Sequence, residues 1–122
     1  MSEKSVRVQR VERELHQLVA LFLQHEIAEP LPALAAVTAV DVMGDLRKAV
    51  IYFRLVGEDL DLARCEKILE SNRKRVQQRV AKQLPLKFTP ILEFRFGRAK
   101  VDEQSDIDRM LAELHQRNPK WH

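Results

Sequence analysis

Long cationic side chains are concentrated in the window from residue 71 to residue 100. The window holds nine lysines and arginines and a single acid, Glu93, so its formal charge is +8, whereas the whole chain carries +3. The nine are Arg73, Lys74, Arg75, Arg79, Lys82, Lys87, Arg95, Arg98 and Lys100. The remainder of the chain is therefore net acidic. Long cations with few competing acids contact phosphates, and this polarity predicts one face that docks on nucleic acid.

The densest part of this window has helical spacing. Arg75, Arg79 and Lys82 stand at i, i+4 and i+7, so a helix places them on one face. Arg73 and Lys74 come just before, near an interruption of the helix where backbone N–H groups could also hold phosphate. We interpret these five residues as the main RNA contact. An ordinary solvated helix face is the alternative.

Cations outside this run could extend or duplicate the contact. Lys87 and Arg95 lie before and within the third predicted strand, so they would lengthen the patch along the sheet. Arg7 and Arg10 begin the first predicted helix. These two would form a second RNA contact, or they would only make the N-terminus soluble.

The sequence lacks the usual motifs that bind single-stranded RNA. A KH domain clamps nucleotides with a GxxG loop, but the three glycines here are isolated at positions 44, 57 and 97. Aromatic residues make up only 6% of the chain, and no pair resembles the stacking platform of an RRM. We therefore expect recognition of folded RNA by charge and shape.

Catalytic chemistry has little support. His16 and His25 are nine residues apart on one predicted helix, on opposite sides, so they cannot share a metal. The chain has no phosphate loop, no CxxC and no nucleophile motif. Its one cysteine, Cys65, lies on an apolar helix stripe and reads as a small core residue. We expect no enzyme activity, no cofactor, no metal and no small-molecule substrate.

Hydrophobic periodicity predicts an α+β domain. Helical spacing covers residues 6–28, 60–84 and 102–117, and strand-like runs cover residues 34–43, 48–56 and 88–96. The order α-β-β-α-β, followed by a C-terminal helix, predicts a three-stranded sheet with helices on one face. Pro90 suggests an edge position or a bulge in the third strand. We expect a domain at 1–100 and a C-terminal helix with a short tail at 101–122.

The long second helix has a flaw in its apolar stripe. Asn72 and Arg73 stand where the rhythm requires an apolar residue. A straight helix of about 25 residues would be roughly 37 Å long, whereas a domain of this size has a radius of gyration of only about 14 Å. We predict a bend or break near Asn72 that leaves two shorter helices. A straight helix with a solvated middle turn is the alternative.

Composition predicts a protein of a reducing compartment that does not span a membrane. A lone cysteine cannot form an internal disulfide. No stretch approaches the roughly 18 apolar residues of a membrane span, and the N-terminal residues lack the apolar core of a signal peptide. We expect a cytoplasmic monomer.

Three segments together resemble one protein family. The first helix runs from VQRVEREL to LQHEIAEP, and the hairpin contains VDV, then DL and AVIY. The approach to the third strand reads VAKQL and then LKFTP. In order and spacing these segments resemble bacterial ribosome-binding factor A, over roughly residues 7 to 96. The family pattern is a basic QRV start, an LQ-x-E-I-x-D-P helix end and an LAKRL-x-LR-Y-TP segment.

The resemblance implies a type II KH-like fold with two helices meeting at a kink. It also implies a factor, not an enzyme, that binds the immature small (30S) ribosomal subunit, assists late assembly and 16S rRNA maturation, and is linked to growth in the cold. The family usually has Ala-x-Gly at the kink, where this chain has Asn72-Arg73-Lys74. Glycine eases a bend, and asparagine is the next most tolerant residue for irregular backbone. A general structured-RNA-binding module and a protein adaptor with a basic face remain the alternatives.

Overall fold

The computed structural model describes residues 4–43 and 45–99. Its elements are α1 (Val6–His25), β1 (Leu34–Val42), β2 (Lys48–Val56), α2 (Asp59–Ser71), α3 (Arg73–Gln83) and β3 (Ile91–Ala99). The strands form one sheet in the order β1-β2-β3, with β1 antiparallel and β3 parallel to β2. This confirms the predicted α+β architecture. Gly44, the cation Lys100, the predicted C-terminal helix at 102–117 and the expected domain boundary at 100 lie outside the described residues.

The first helix forms because its cap and its apolar stripe agree. The Ser5 hydroxyl oxygen accepts a hydrogen bond from the Val8 N–H at 3.1 Å and so closes the first turn. The apolar stripe predicted from the sequence is buried at Val8, Val11, Leu15, Leu18, Val19 and Phe22. The helix ends at His25, three residues before the predicted end. The chain leaves the helix there, and Ile27 and Leu31 pack against the core from irregular backbone.

One face of the sheet packs against all three helices. Alternate β2 residues from Ala49 to Leu55 belong to the same core cluster as buried residues of α1, α2 and α3. Phe53 lies at its centre, with its ring 4.9 Å from that of Phe94 and 5.5 Å from that of Phe96. Cys65 is fully buried in this core, as predicted, and burial raises the pKa of its thiol.

The third strand begins later than predicted. Residues 88–90 precede it, and Pro90 is buried just before the first strand residue. Proline has no N–H to donate, so the ladder with β2 begins only after the Ile91 N–H donates to the Arg47 carbonyl at 2.9 Å. The third strand lies at the edge of the sheet, which confirms the edge position expected from Pro90. Its register with β2 is regular. The sheet is irregular in β1 instead, where the register shifts between Val37 and Ala39.

Candidate nucleic-acid interface

The second and third helices meet at Asn72, which confirms the predicted interruption that leaves two shorter helices. The Asn72 N–H donates to the Leu69 carbonyl at 3.1 Å, one residue short of the α-helical partner, Ile68. The Ile68 carbonyl instead accepts hydrogen bonds from the Ser71 hydroxyl and the Asn72 side-chain amide, both at 2.8 Å. Side chains thus replace a backbone donor. This is how Ser and Asn compete with helix continuation.

The prediction that Asn72 permits the bend because asparagine tolerates irregular backbone is wrong in detail. Asn72 has φ −95° and ψ −1°, a conformation that requires no unusual tolerance of positive φ. Asn72 is the only buried polar residue in the described part of the chain. Its side-chain oxygen accepts from the Arg75 guanidinium at 3.0 Å, so both ends of the amide are bonded. The asparagine therefore acts through its side chain, which glycine lacks.

The predicted cations of α3 lie along its boundary with α1. Arg75, Arg79 and Lys82 line one surface depression with Phe22 of α1. The Arg75 guanidinium stands 5.6 Å from the centre of the Phe22 ring, and the Arg79 guanidinium bonds the Glu26 carboxylate. The i, i+4, i+7 spacing therefore places these three cations side by side.

The same boundary continues to the start of α1. Arg7 and Arg10 line an open groove of about 520 Å³ between α1 and the segment from Gln83 to Leu86. Arg7 also lines the neighbouring groove, of about 280 Å³, together with Arg47 and Lys87. We call this surface the basic seam. Its cations are Arg7, Arg10, Arg47, Arg75, Arg79, Lys82 and Lys87.

Folding thus brings together most of the sequence-predicted contact residues. We call Arg75, Arg79 and Lys82 the α3 run. The α3 run and the cations at the start of α1 are far apart in the chain, yet they border one surface. Arg47 was missed because it stands alone in the hairpin, between Asp45 and Lys48, with no helical or strand pattern to mark it. Only the closeness of the hairpin to residues 86–88 shows that Arg47 belongs to the seam.

Acids accompany several of these cations. Glu26 pairs with Arg79, Glu14 lies 3.4 Å from Arg10, and Asp45 lies 4.0 Å from Arg47. The cations of the α3 run have no acid close to them along the chain, but folding brings Glu26, the C-cap of α1, next to Arg79. Ion pairs this exposed contribute at most about 1 kcal/mol, so a phosphate can replace the carboxylate. Among the described residues, no acid is recorded within ion-pair distance of Lys82 or Lys87.

Arg73 and Lys74 lie outside the seam. Arg73 pairs with Glu70 at 3.2 Å, and its guanidinium also reaches the Leu92 carbonyl at 3.5 Å, on the side of α3 that faces β3. Lys74 is exposed. No side chain caps the first turn of α3, so the predicted phosphate contact by its N–H groups stays a prediction.

The cations of β3 lie apart from the seam. Arg95 is paired in register with Tyr52, next to Phe53 and Phe94 of the core, and so it projects from the opposite face of the sheet. There it bonds Glu93. Arg98 bonds Glu66 of α2. Arg95 and the α3 run therefore do not form one continuous surface, and RNA contact by Arg95 stays a separate prediction.

Glu93 should titrate below an ordinary glutamate. Hydrogen bonds from Lys48, 2.9 Å away, and then from Arg95 lower the pKa of its carboxyl. A lowered pKa means that the stabilisation is present at neutral pH and is lost as the pH falls through the folded-state value. Carbon-detected NMR should give a Glu93 midpoint below the usual value of about 4.3. Lys48→Gln should move that midpoint upward, and an unchanged midpoint would contradict the assignment of Lys48 as the main cause.

Neither a metal centre nor a membrane helix is found in residues 4–43 and 45–99. That part of the chain contains no group of three or more His, Cys, Asp or Glu placed to bind a metal ion. None of its helices is both long and apolar enough to cross a bilayer. The basic seam is the strongest candidate site among the described residues.

A family model described as Ribosome-binding factor A matches residues 7–111. The chain belongs to the ribosome-binding factor A family. A ribosome-binding factor A from Stutzerimonas stutzeri is 31% identical over 119 residues, covering 93% of this chain and 92% of the relative. One from Macrococcus caseolyticus is 28% identical over 111 residues, covering 91% and 96%.

Solved structures of this family share the fold. The crystal structure of ribosome-binding factor A from Thermus thermophilus has a TM-score of 0.61 at 21% identity, covering 73% of this chain and 93% of that one. The solution structure of a candidate ribosome binding factor A from Thermotoga maritima has a TM-score of 0.64 at 21% identity, covering 78% and 91%. With the element order, these likenesses confirm the KH type II-like fold.

Proposed function

We propose that this member of the ribosome-binding factor A family binds the immature small ribosomal subunit. It assists late assembly and 16S rRNA maturation and catalyses no reaction. Family membership carries the proposal, because the relatives are named for ribosome binding. The basic seam supplies the means, since seven cations from α1, the hairpin, α3 and the segment after α3 border one surface.

The mechanism we propose is selection of one rRNA conformation. Cations held along a folded surface contact phosphates only where the RNA backbone follows the same path. A factor that binds one state of the rRNA and not another shifts the population toward the bound state. The factor then leaves when maturation changes that path. This requires no catalytic group.

Co-sedimentation with purified subunits at two salt concentrations tests the proposal. We expect selective association with the small subunit that weakens as salt rises, because phosphate contacts release counterions. Equal association with both subunits, or none with either, would refute the ribosomal part of the proposal. Immature subunits should retain more protein than mature ones if the factor acts during assembly.

Two other functions predict different results in the same experiment. A general structured-RNA-binding module would bind an unrelated folded RNA as tightly as the small subunit. An adaptor that uses its basic face for an acidic protein would remain bound to its partner after nuclease treatment. The seam offers cations to either partner, and family membership favours the ribosome.

A further inference from the structure

An exposed aromatic ring stands at one end of the basic seam. Phe88 is 52% exposed, and it is the only aromatic among the large exposed apolar residues of the described chain. The Arg47 guanidinium lies 4.8 Å from the centre of its ring, and the Lys87 ammonium lies 5.5 Å from it. Arg7 borders the same groove of about 280 Å³. The ring is therefore half exposed and flanked by two cations.

The backbone holds this cluster in place on both sides. Pro90, two residues after Phe88, is buried, so the ring is attached to a fixed point of the fold. On the hairpin side, the Asp45 carboxylate accepts from the Arg47 N–H at 3.1 Å, and Leu46 adopts a left-handed φ of 62°. Leu46 packs against the core, which holds this turn in its conformation. Arg47 is therefore presented to Phe88 by a defined turn.

We propose that Phe88 is a stacking platform for one unpaired RNA base. Every base has a π-face that an aromatic ring can stack on, and the flanking cations can contact the adjoining phosphates. Arg47 is exposed and only weakly paired with Asp45, so it can move to the far face of an inserted base. Arginine planes also stack on bases. The ring and the guanidinium would then enclose the base.

The charges around the ring favour RNA over a peptide. Arg7, Arg47 and Lys87 border the groove against one acid, Asp45, which is already bonded to the Arg47 N–H. Arg7 also borders the next groove along the seam, where Arg10 lies, so the cations continue past the groove beside Phe88. The occupant is therefore a strand whose backbone follows the seam. This inference rests on the proposed function and adds an unpaired nucleotide to its target.

A ring-specific variant series tests the platform. The probe is a fluorescein-labelled hexaadenylate RNA, with a blunt-ended, fully paired RNA duplex as the second ligand. Phe88→Leu keeps apolar bulk without the ring and should weaken hexaadenylate binding roughly 10- to 100-fold with an unchanged salt slope. Binding of the paired duplex should not change. Phe88→Trp should bind as the unmodified protein does, and in a Trp121→Phe background its fluorescence should be quenched by the RNA.

Controls separate this proposal from the proposed function. Leu60→Ala removes an exposed apolar side chain on α2, away from the seam, and should change neither affinity. Equal hexaadenylate affinity for Phe88→Leu and the unmodified protein would overturn the platform, as would equal loss with both ligands or no hexaadenylate binding at all. If adenosine monophosphate bound as tightly as the hexamer, the inference that the occupant is an RNA strand would be refuted. Subunit co-sedimentation is scored separately, since it can fail while stacking on Phe88 persists.

Discussion

Arg79→Ala combined with Lys82→Ala should weaken binding to the small subunit on the order of 10- to 100-fold at 0.1 M salt. Each cation that contacts a phosphate adds about 0.7 to 0.9 to the slope of log affinity against log salt. Loss of two contacts should therefore reduce the magnitude of that slope by roughly 1.4 to 1.8. The protein should remain folded, because Arg79 and Lys82 lie on the surface of α3 and contribute nothing to the buried core.

The matched control removes two positive charges from α2. Arg64 and Lys67 are exposed, and neither borders the seam. Arg64→Ala with Lys67→Ala changes the net charge by the same amount, so any effect of total charge appears in both variants. Similar losses in the two would show that affinity follows net charge and not the seam. The Arg73-Lys74-Arg75 run is a less clean target, because Arg75 bonds Asn72 and Arg73 reaches the Leu92 carbonyl.

Local pattern was sufficient for most of the fold. Helical spacing in α1 and the short apolar runs of β1 and β2 depend on neighbouring residues, and these elements appear close to their predicted places. The late start of β3 depends partly on Pro90 and partly on where the segment pairs with β2, and no local pattern contains that pairing. The end of α1 at His25 likewise depends on where Ile27 and Leu31 find the core. Element ends are therefore decided by tertiary contacts.

The sequence predicted which cations are concentrated at the candidate site, but it could not predict which of them share one surface of the folded chain. Clustering along the chain identified the α3 run, because i, i+4 and i+7 map to one helix face. It could not show that Arg95 projects from the opposite face of the sheet, since that depends on strand register. Nor could it show Arg47 beside Phe88, which requires the hairpin to fold over the segment before β3. The resemblance identified the family, but it contained no such geometry.

Asn72→Gly should destabilise the protein by about 1 to 3 kcal/mol. The change removes the side-chain donor to the Ile68 carbonyl and the acceptor for Arg75, and each hydrogen bond contributes about 0.5 to 1.5 kcal/mol. Glycine also costs conformational entropy, because Asn72 already has a negative φ that any residue adopts. The measurement is urea unfolding followed by far-UV circular dichroism.

Two further variants decide which property of Asn72 makes the bend. Asn72→Ala keeps a side chain with a strong helical preference but no hydrogen bonds, so it should also be less stable than the unmodified protein. Ser71→Ala removes the second donor to the Ile68 carbonyl at an exposed residue and should cost less than about 0.5 kcal/mol. If Asn72→Gly were as stable as the unmodified protein, backbone freedom alone would explain the bend. The two side-chain hydrogen bonds would then be its consequence.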